Sequence, residues 1–298
     1  MSEQQTGPFL VTGASGQLGR LVLDQLLEAG AAPVIATTRT PDKLSDYAGR
    51  GVDVRKADFN DPSTLPTAFA GAKRVLIIST DDFAPGKRLE THQAAISAAV
   101  KAGVEHIVYT SLTNPSPESP ISFAGDHRDT EAELAKCGIQ HSILRNNLYA
   151  DNLLMAGPQA VSMGKLFAAA ADGTAGYVTR QDCARAASAA LLEAKETATF
   201  DITGPELVGQ AEIARLLSSV TGKEVGYIPI STKDLAAAMV QNGLPEPIAT
   251  VLATIDEAIA AGTLSVVSSA VEDLTGVQPT TMADFIASHA AAFGGAAG

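Results

Sequence analysis

The sequence predicts an α/β fold in which a doubly wound parallel sheet carries a smaller, helix-rich C-terminal lobe. Two observations support this prediction. Short apolar stretches alternate with stretches of helical periodicity through residues 8–146, and continuous apolar runs are typical of parallel strands buried on both faces. Helices of about 10 to 15 residues between such strands predict right-handed βαβ units.

The predicted elements follow one another in a regular order. Strands are expected at 8–13, 33–39, 52–59, 73–80, 105–112, 140–146 and 199–205. Helices are expected at 17–30, 40–51, 61–71, in a long stretch ending near residue 103, at 129–138 and, after a short strand, at 177–194. Beyond residue 150 the alternation loosens, and the segments 210–222, 231–243, 245–262 and 281–293 are mostly helical.

The composition limits the possible partners. Of the 298 residues, 46% are hydrophobic and 18% are charged, which is ordinary for a globular protein. The net charge of −12 disfavours a nucleic-acid partner, which needs a basic face. No apolar run has membrane-spanning length, and MSEQQTGPF lacks a signal pattern. Cys137 and Cys183 are far apart and indicate reduced thiols, so we expect a cytoplasmic protein without a membrane partner.

Three glycines follow the first predicted strand and open the first helix: Gly13, Gly16 and Gly19. Glycines in this context permit a tight turn, close approach of a pyrophosphate and close packing of helix on strand. The helix N-terminus adds free N–H groups and the positive end of the helix dipole. The pattern predicts a dinucleotide site of the Rossmann type; the alternative is a tight turn that binds nothing.

The residues after the second strand favour NADPH as the cofactor. An acid at the end of that strand would hold the ribose hydroxyls and favour NAD. This chain has Arg39 there, whose guanidinium can form two hydrogen bonds to a 2′-phosphate, and Lys43 adds a positive charge. Alternatively, Arg39 is a solvated loop residue. Asp58, after the third strand, is expected either to meet the adenine amino group or to cap a turn.

The chain resembles a known family at seven stretches: TGASGQLG, TTRTPDK, ADFNDP, LIIST, AGVEHIVYTSL, TEAELAKCGIQHSILRNNLYADN and TGPE. They are similar to the atypical short-chain dehydrogenase/reductases of the NmrA-like group, within it the bacterial NADPH:quinone oxidoreductase type and the triphenylmethane reductases. The resemblance covers nearly the whole chain, most specifically residues 10–155. It implies an NADPH-binding Rossmann domain and a smaller substrate lobe.

These inferences together give a domain division and a cofactor site. The Rossmann domain is expected at 7–150, with strands returning around 173–204, and the substrate lobe at 151–172 and 205–298. The residues predicted to contact NADPH are Gly13, Ser15, Gly16, Gln17, Leu18, Gly19, Arg39, Lys43, Asp58, Phe59, Ser79, Thr80 and His127.

The predicted catalytic region lacks a tyrosine acid. Typical short-chain dehydrogenases have a Ser followed by Tyr-x-x-x-Lys. Here Ser111 is followed by Phe123 in the place of the Tyr and His127 in the place of the Lys. His127 can protonate or orient the substrate, since an ordinary histidine pKa lies near working pH, or it can hold the nicotinamide ribose. It can also be an exposed residue at a helix start. No other histidine has metal-ligand spacing, so no metal is expected.

Asn147 and Tyr149 follow the sixth strand, and we expect them with Phe123 in the substrate pocket. Their alternative roles are a helix cap and a packed ring. The predicted catalytic residues are therefore His127, Ser111 and Tyr149. Asp182, Cys183 and Arg185 are interpreted as structural, with Asp182 as a helix cap.

The missing hydroxyl at residue 123 restricts the reaction. Reducing an ordinary ketone leaves an alkoxide, which needs a proton donor that phenylalanine does not provide. We therefore predict an NADPH-dependent oxidoreductase acting on a small electrophile: a quinone, enone, imine or cationic dye. The alternative, from a different class, is an NADP(H)-sensing protein without turnover. We expect a monomer or homodimer.

Overall fold

The computed structural model describes residues 7–84 and 86–295. The prediction made for the MSEQQT stretch therefore lies outside the described residues. The strands are β1 (Phe9–Val11), β2 (Val34–Thr38), β3 (Asp53–Lys56), β4 (Arg74–Ile77), β5 (His106–Leu112), β6 (Gln140–Asn146), β7 (Lys165–Ala168), β8 (Thr174–Ala175), β9 (Ala198–Ile202), β10 (Val208–Gly209) and β11 (Gly226–Pro229). Within these ranges, no helix is both long and apolar enough to cross a bilayer.

Twelve α-helices accompany the strands in the described part of the chain. They are α1 (Gln17–Glu28), α2 (Ser45–Ala48), α3 (Leu65–Phe69), α4 (Lys87–Ala102), α5 (Ala124–Lys136), α6 (Leu153–Met163), α7 (Arg180–Glu193), α8 (Gln210–Thr221), α9 (Thr232–Gln241), α10 (Glu246–Ala260), α11 (Ala270–Thr275) and α12 (Met282–Ser288). Short 3₁₀ turns lie between several of them.

The central sheet confirms the predicted fold class. Seven strands pair in the order β3-β2-β1-β4-β5-β6-β9, and every pair is parallel. The order reverses between β1 and β4, and ligands of doubly wound sheets bind in the crevice at such a reversal.

Alternate residues of the central strands pack on opposite faces of the sheet. Val11 and Leu76 belong to a cluster with α1 and α7 on one face. Leu10 and Ile77 belong to a second cluster with α3 and α4 on the other face. Both faces are therefore buried, which explains why these strands are continuously apolar in sequence.

Helix α5 begins at Ala124, five residues before the predicted start at 129. Its buried residues are Ala124, His127, Thr130 and Leu134, at helical spacing. Because two of these four are polar, the hydrophobic periodicity of the first turns is weak. Because α5 begins at Ala124, His127 lies inside the helix.

The second part of the chain contains elements that the sequence did not predict. Helices α6 and α11 and the strands β7, β10 and β11 are absent from the predicted set. Strands β7 and β11 pair with each other, and β8 pairs with β10, in two separate two-stranded sheets. Of the strands expected to return around 173–204, only β9 joins the central sheet. The division into a Rossmann domain and a substrate lobe stays a prediction.

Asp182 is not the residue that caps α7. The N-cap is Thr179, whose hydroxyl accepts a hydrogen bond from the Asp182 N–H at 3.0 Å. The Asp182 carboxylate accepts from the Thr179 hydroxyl and from the Thr280 N–H, so it holds a distant segment as well as the helix start. The arrangement differs from a capping box, in which the carboxylate would accept from the backbone N–H of the N-cap residue and not from its hydroxyl.

Helix α1 packs directly on the turn that precedes it. A Cβ on Gly19 would lie 2.5 Å from the Gly13 carbonyl oxygen and 2.7 Å from the Ala14 Cα. Both neighbours are backbone atoms, so a side chain at residue 19 would force the turn and the helix apart.

We expect Gly19→Ala to destabilise the protein by about 1–3 kcal/mol, the usual cost of overpacking. Chemical denaturation of the variant and the wild type measures this difference. Gly125→Ala is the matched control, because Gly125 is also helical and its added Cβ would meet only the Arg128 side chain at 3.8 Å. A Gly19→Ala variant as stable as the control would contradict this account.

Candidate functional site

The predicted site residues lie at one edge of the central sheet. Since β1 to β6 are all parallel, the residues that follow each strand meet at the same, carboxyl edge. Gly13 follows β1, Arg39 follows β2, Asp58 follows β3, Ser79 follows β4 and Asn147 follows β6. The fold therefore gathers residues more than a hundred positions apart in sequence into one region.

The turn after β1 is held by hydrogen bonds to both neighbouring strands. The Ala14 N–H donates to the Thr37 carbonyl at 3.0 Å. On the other side, the Ile78 N–H donates to the Thr12 hydroxyl at 3.0 Å. Gly13 has a φ of +58°, a left-handed conformation that favours glycine. The turn is thereby fixed at the point where the strand order reverses.

The N-terminus of α1 is suited to an anion. Its N-cap is Gly16, which offers no side-chain cap, and its first turn contains no acidic residue. The first N–H groups of the helix are therefore available to a ligand. A dinucleotide's pyrophosphate fits this arrangement, because Gly13 and Gly16 present no side chain. Gln17 begins the helix, and the Leu18 side chain packs into the core.

The end of β2 presents unpaired positive charge. Arg39 and Lys43 are both exposed, and neither side chain forms a hydrogen bond or ion pair with a described residue. Nearby, Arg20 pairs with Asp46 at 3.1 Å. Ser15, in the glycine turn, is hydrogen-bonded to Thr38 at 2.7 Å and so connects the two segments. This chemistry fits a 2′-phosphate better than a pair of ribose hydroxyls.

Apart from His127, the remaining predicted cofactor residues are partly exposed at the same edge. The Asp58 carboxylate accepts from the Asn60 N–H at 2.9 Å, so it caps a turn and keeps one oxygen without a partner among the described residues. Phe59 packs beside the core cluster under α3. The Ser79 N–H donates to the Thr110 hydroxyl at 2.9 Å, and the Thr80 N–H donates to Nε2 of His92 at 3.0 Å.

Phe123 packs against a buried cation. The Arg88 guanidinium lies 4.8 Å from the centre of the Phe123 ring and 5.6 Å from that of Phe83. Arg88 is only 4% exposed and donates to the Thr80 carbonyl. Burial lowers the pKa of Arg88 from its ordinary value, but an arginine remains charged at neutral pH. A positive charge therefore lies directly beside residue 123, the position predicted from the sequence to match the tyrosine of typical short-chain dehydrogenases.

His127 is buried, so the prediction of an ordinary histidine pKa there is wrong. The side chain is 3% exposed, and its Nδ1 lies 2.8 Å from the Tyr109 hydroxyl. Burial first, and then the charge of Arg88, lower the pKa of His127 well below its usual range. The imidazole is neutral at working pH and has no proton to give as an imidazolium.

Ser111 is already engaged with a charged pair. Its hydroxyl donates to Oε1 of Glu131 at 2.6 Å. The same carboxylate accepts two hydrogen bonds from Arg145, at 3.0 and 2.6 Å. Ser111 would have to give up a charge-assisted hydrogen bond in order to donate to a substrate.

Tyr149 and Asn147 are tied to neighbouring elements. The Tyr149 hydroxyl accepts from the amide of Asn146 at 3.1 Å, and burial raises its pKa. The Asn147 amide donates to the Leu264 carbonyl at 3.0 Å, so it fastens a C-terminal segment to the end of β6. Tyr149 is therefore a weak acid, and Asn147 is a link between segments of the chain.

Three residues of this region were not predicted as functional: Arg88, His92 and Tyr109. Arg88 and His92 are four residues apart on α4 and share one buried face. That spacing is the only signal the sequence contains, because Tyr109 reads as an ordinary residue of a buried strand. In residues 7–84 and 86–295 no group of three or more His, Cys, Asp or Glu side chains could hold a metal.

Comparison with known proteins places the chain among reductases. Residues 5–286 match the NmrA-like family. The chain is 36% identical to quinone oxidoreductase 2 of Escherichia coli over 278 residues, covering 93% of this chain and 96% of the relative.

Two solved structures are similar over almost their full length. An NADPH-dependent quinone oxidoreductase of Escherichia coli in complex with NADPH has a TM-score of 0.88 at 35% identity, covering 93% of this chain and 98% of that one. The Citrobacter triphenylmethane reductase complexed with NADP(H) has a TM-score of 0.87 at 35% identity, covering 95% and 99%.

The buried histidines predict how stability depends on pH. Burial lowers the pKa of His92 to about 3 and that of His106 to about 4, while an unfolded histidine has a pKa of about 6.5. Below pH 6.5 the unfolded chain binds more protons than the folded one, so the free energy of unfolding falls as the pH falls. We expect each histidine to contribute a loss of about 1 kcal/mol between pH 7 and pH 5.5.

The test compares wild type with His106→Gln by chemical denaturation at both pH values. Glutamine keeps a hydrogen bond to Ser142, which His106 contacts at 2.9 Å. The variant should lose about 1 kcal/mol less than the wild type over this interval. Partly buried aspartates with raised pKa values, such as Asp126 and Asp201, act in the opposite direction but are common to both proteins. Equal losses of unfolding free energy in the two proteins would refute the lowered pKa of His106.

Proposed function

The chain belongs to the NmrA-like family, and from this premise we propose that it is an NADPH-dependent reductase. It passes hydride to a small conjugated electrophile, with a quinone as the favoured class, and uses no tyrosine general acid. Proteins similar to it over almost their full length include an NADPH-dependent quinone oxidoreductase and a triphenylmethane reductase. This favours turnover over the sensor alternative.

The strongest support comes from the side chain at residue 123 and its surroundings. Phe123 has no proton to donate. His127 is neutral, Ser111 already donates to Glu131, and burial raises the pKa of Tyr149. No predicted catalytic residue is thus a ready acid. The acceptor must form a stable product without immediate protonation.

Each predicted cofactor residue has a distinct role in this proposal. The turn from Gly13 to Gly19 takes the pyrophosphate at the start of α1, and Arg39 with Lys43 takes the 2′-phosphate. Asp58 and Phe59 border the adenine, while Ser79, Thr80 and His127 face the nicotinamide ribose. When bound, NADPH supplies the hydride.

The buried charge of Arg88 favours one class of acceptor. A quinone becomes a hydroquinone anion when it gains hydride, and an adjacent cation stabilises that charge as it develops. A cationic dye would instead approach a like charge in a poorly solvated region. We therefore propose that quinones and enones are better acceptors than cationic dyes or protonated imines.

The substrate pocket lies between the sheet edge and the C-terminal segments. Phe123 and Leu148 pack beside a cluster that includes Ile259 and Leu264. Such an apolar wall suits a planar, conjugated molecule. We propose that residues 151–172 and 205–298 form the substrate lobe around it, and that the protein works as a monomer or homodimer.

The role proposed for Arg39 gives the first functional prediction. NADPH should bind more tightly than NADH, and Arg39→Ala should weaken NADPH binding by about 1.5–3 kcal/mol, the usual range for a charged hydrogen bond. Calorimetric titration of both cofactors into both proteins measures these affinities.

NADH binding to Arg39→Ala should change little, because NADH lacks the 2′-phosphate. Arg215→Ala is the matched control: Arg215 is exposed on α8 and pairs with Glu212 at 2.6 Å, far along the chain from the glycine turn. Equal wild-type affinities for the two cofactors would remove the basis for assigning Arg39 to the phosphate.

The role proposed for Phe123 gives the second functional prediction. At saturating NADPH, quinones should be reduced at least about 100-fold faster than matched aliphatic ketones, because only the ketone needs a strong acid in the transition state. Phe123→Tyr should leave quinone reduction unchanged or lower it through crowding against Arg88. Steady-state rates with paired substrates give both comparisons.

Reduction of unactivated ketones by the wild type at rates similar to those of quinones would refute this mechanism. A large gain in quinone reduction by Phe123→Tyr would show that a missing acid limits the natural reaction. Tight NADPH binding without turnover of any acceptor would instead favour the alternative function, an NADP(H)-sensing protein.

A further inference from the structure

A continuous series of hydrogen-bonded polar groups leads from the end of β4 to His127. We call this series the relay; it consists of Thr80, His92, Thr130, Tyr109 and His127. The Thr80 N–H lies 3.0 Å from Nε2 of His92. Nδ1 of His92 lies 3.0 Å from the Thr130 hydroxyl and 3.3 Å from the Tyr109 hydroxyl. The Tyr109 hydroxyl in turn lies 2.8 Å from Nδ1 of His127. His92, Tyr109 and Thr130 are fully buried.

The direction of these hydrogen bonds follows from one group that can only donate. The backbone N–H of Thr80 is a donor, so Nε2 of His92 must accept and the hydrogen of a neutral His92 is on Nδ1. That N–H points to Thr130 and Tyr109. The Thr130 hydroxyl gives its own hydrogen to the Asp126 carbonyl at 2.7 Å and is free to accept.

The Tyr109 hydroxyl has two hydrogen-bond partners, both histidine ring nitrogens, and only one of them can accept. It cannot donate to Nδ1 of His92, which already bears a hydrogen. The other ring nitrogen within reach is Nδ1 of His127. That nitrogen therefore accepts, and the hydrogen of a neutral His127 is on Nε2. Nε2 of His127 forms no hydrogen bond with any described residue.

We propose that Tyr109 and His92 are positioning residues that hold His127 as the neutral tautomer bearing its hydrogen on Nε2. His127 then acts as a hydrogen-bond donor to an oxygen of the bound ligands. This inference rests on the proposed reductase function for its purpose, although the tautomer itself does not depend on turnover. The oxygen belongs either to the nicotinamide ribose or to the acceptor.

A cationic His127 is incompatible with this arrangement. Both of its nitrogens would donate, so the Tyr109 oxygen would face N–H groups of two histidines and its own hydrogen would lose its acceptor. The guanidinium of Arg88 adds a like charge nearby, and it lowers the pKa of both His92 and His127 in addition to their burial. The neutral tautomer satisfies the other hydrogen-bonding groups of the relay and leaves Nε2–H of His127 to donate to a ligand.

The direct test is ¹⁵N NMR of the histidine rings in the full-length protein, without cofactor. The chain has five histidines, and His127→Gln identifies the signals of His127. The wild type should show a protonated Nε2 and an unprotonated Nδ1 for His127. Tyr109→Phe should shift His127 to a mixture of the two tautomers, because the donor to Nδ1 is gone.

A pair of His92 variants separates positioning from packing. Glutamine can accept from the Thr80 N–H and donate towards Tyr109, so His92→Gln should keep the wild-type His127 signals. His92→Leu removes both functions and should produce the tautomer mixture. If Tyr109→Phe does not fold, the comparison of His92→Gln with His92→Leu still tests whether the relay sets the His127 tautomer. Tyr227→Phe is the control for loss of a hydroxyl, since Tyr227 bonds the Ala171 carbonyl at 2.9 Å in a different part of the fold.

Binding and kinetics then identify the oxygen that His127 contacts. If it is the ribose, Tyr109→Phe should weaken NADPH binding about 3- to 10-fold with little change in kcat. If it is the acceptor, kcat for a quinone should fall by the same factor while NADPH affinity is kept. Unchanged values of both would refute a functional role for the relay.

The NMR result distinguishes failure of this inference from failure of the proposed function. A wild-type His127 protonated on Nδ1, or signals unaffected by Tyr109→Phe and His92→Leu, overturns the relay whatever the protein reduces. The expected tautomer in a protein that reduces no acceptor overturns the reductase proposal and leaves the positioning of His127 intact.

Discussion

Strand β1 has only three residues, yet its hydrogen bonds to β2 on one side and β4 on the other fix the candidate site. The chain must turn where the strand order reverses, and the backbone of β2 and a hydroxyl of the turn itself complete the hydrogen bonds there. The helix that follows approaches so closely that Gly19 has no room for a Cβ. The uncapped helix start, the cationic end of β2 and the end of β4 all take their positions from this strand.

The second organising feature is a buried cation among aromatic and polar groups. Arg88 packs against the rings of both Phe83 and Phe123 and donates to a backbone carbonyl. Burial is the main reason why the neighbouring histidines have lowered pKa values, and the charge of Arg88 adds to it. The same charge would stabilise a negative charge on the acceptor. An enzyme that replaces a proton donor with an electrostatic environment is confined to acceptors whose reduced form tolerates the charge. The absence of a tyrosine at residue 123 and the presence of a buried arginine beside it are thus consistent with one chemistry.

The segments after residue 150 close this edge of the sheet through few but specific contacts. Asn147 fastens the segment at Leu264 to the end of β6, and Asp182 holds Thr280 near the start of α7. Apolar residues of α10 pack beside Phe123. Side chains that a sequence pattern assigns to substrate binding or to a helix cap can therefore serve to hold the C-terminal segments in place.

The sequence by itself determined the central sheet, the glycine turn and the absence of an acid at residue 123. These depend on local patterns: continuous apolar strands, glycines at a fixed spacing, and the identity of one side chain. The cation at the end of β2 also follows from the residues alone, since Arg39 stands where NAD-dependent folds need a carboxylate.

Only the tertiary structure decided what surrounds His127. The start of α5 and the short strands β7, β10 and β11 escaped prediction, because a polar buried face and strands of two to four residues leave little periodicity. The relay through His92 and Tyr109 joins α4, β5 and α5, and no local pattern connects residues 17 and 18 positions apart. Burial and tautomer are set by neighbours in space, so the same histidine that reads as a possible acid in sequence becomes a neutral donor in the folded protein.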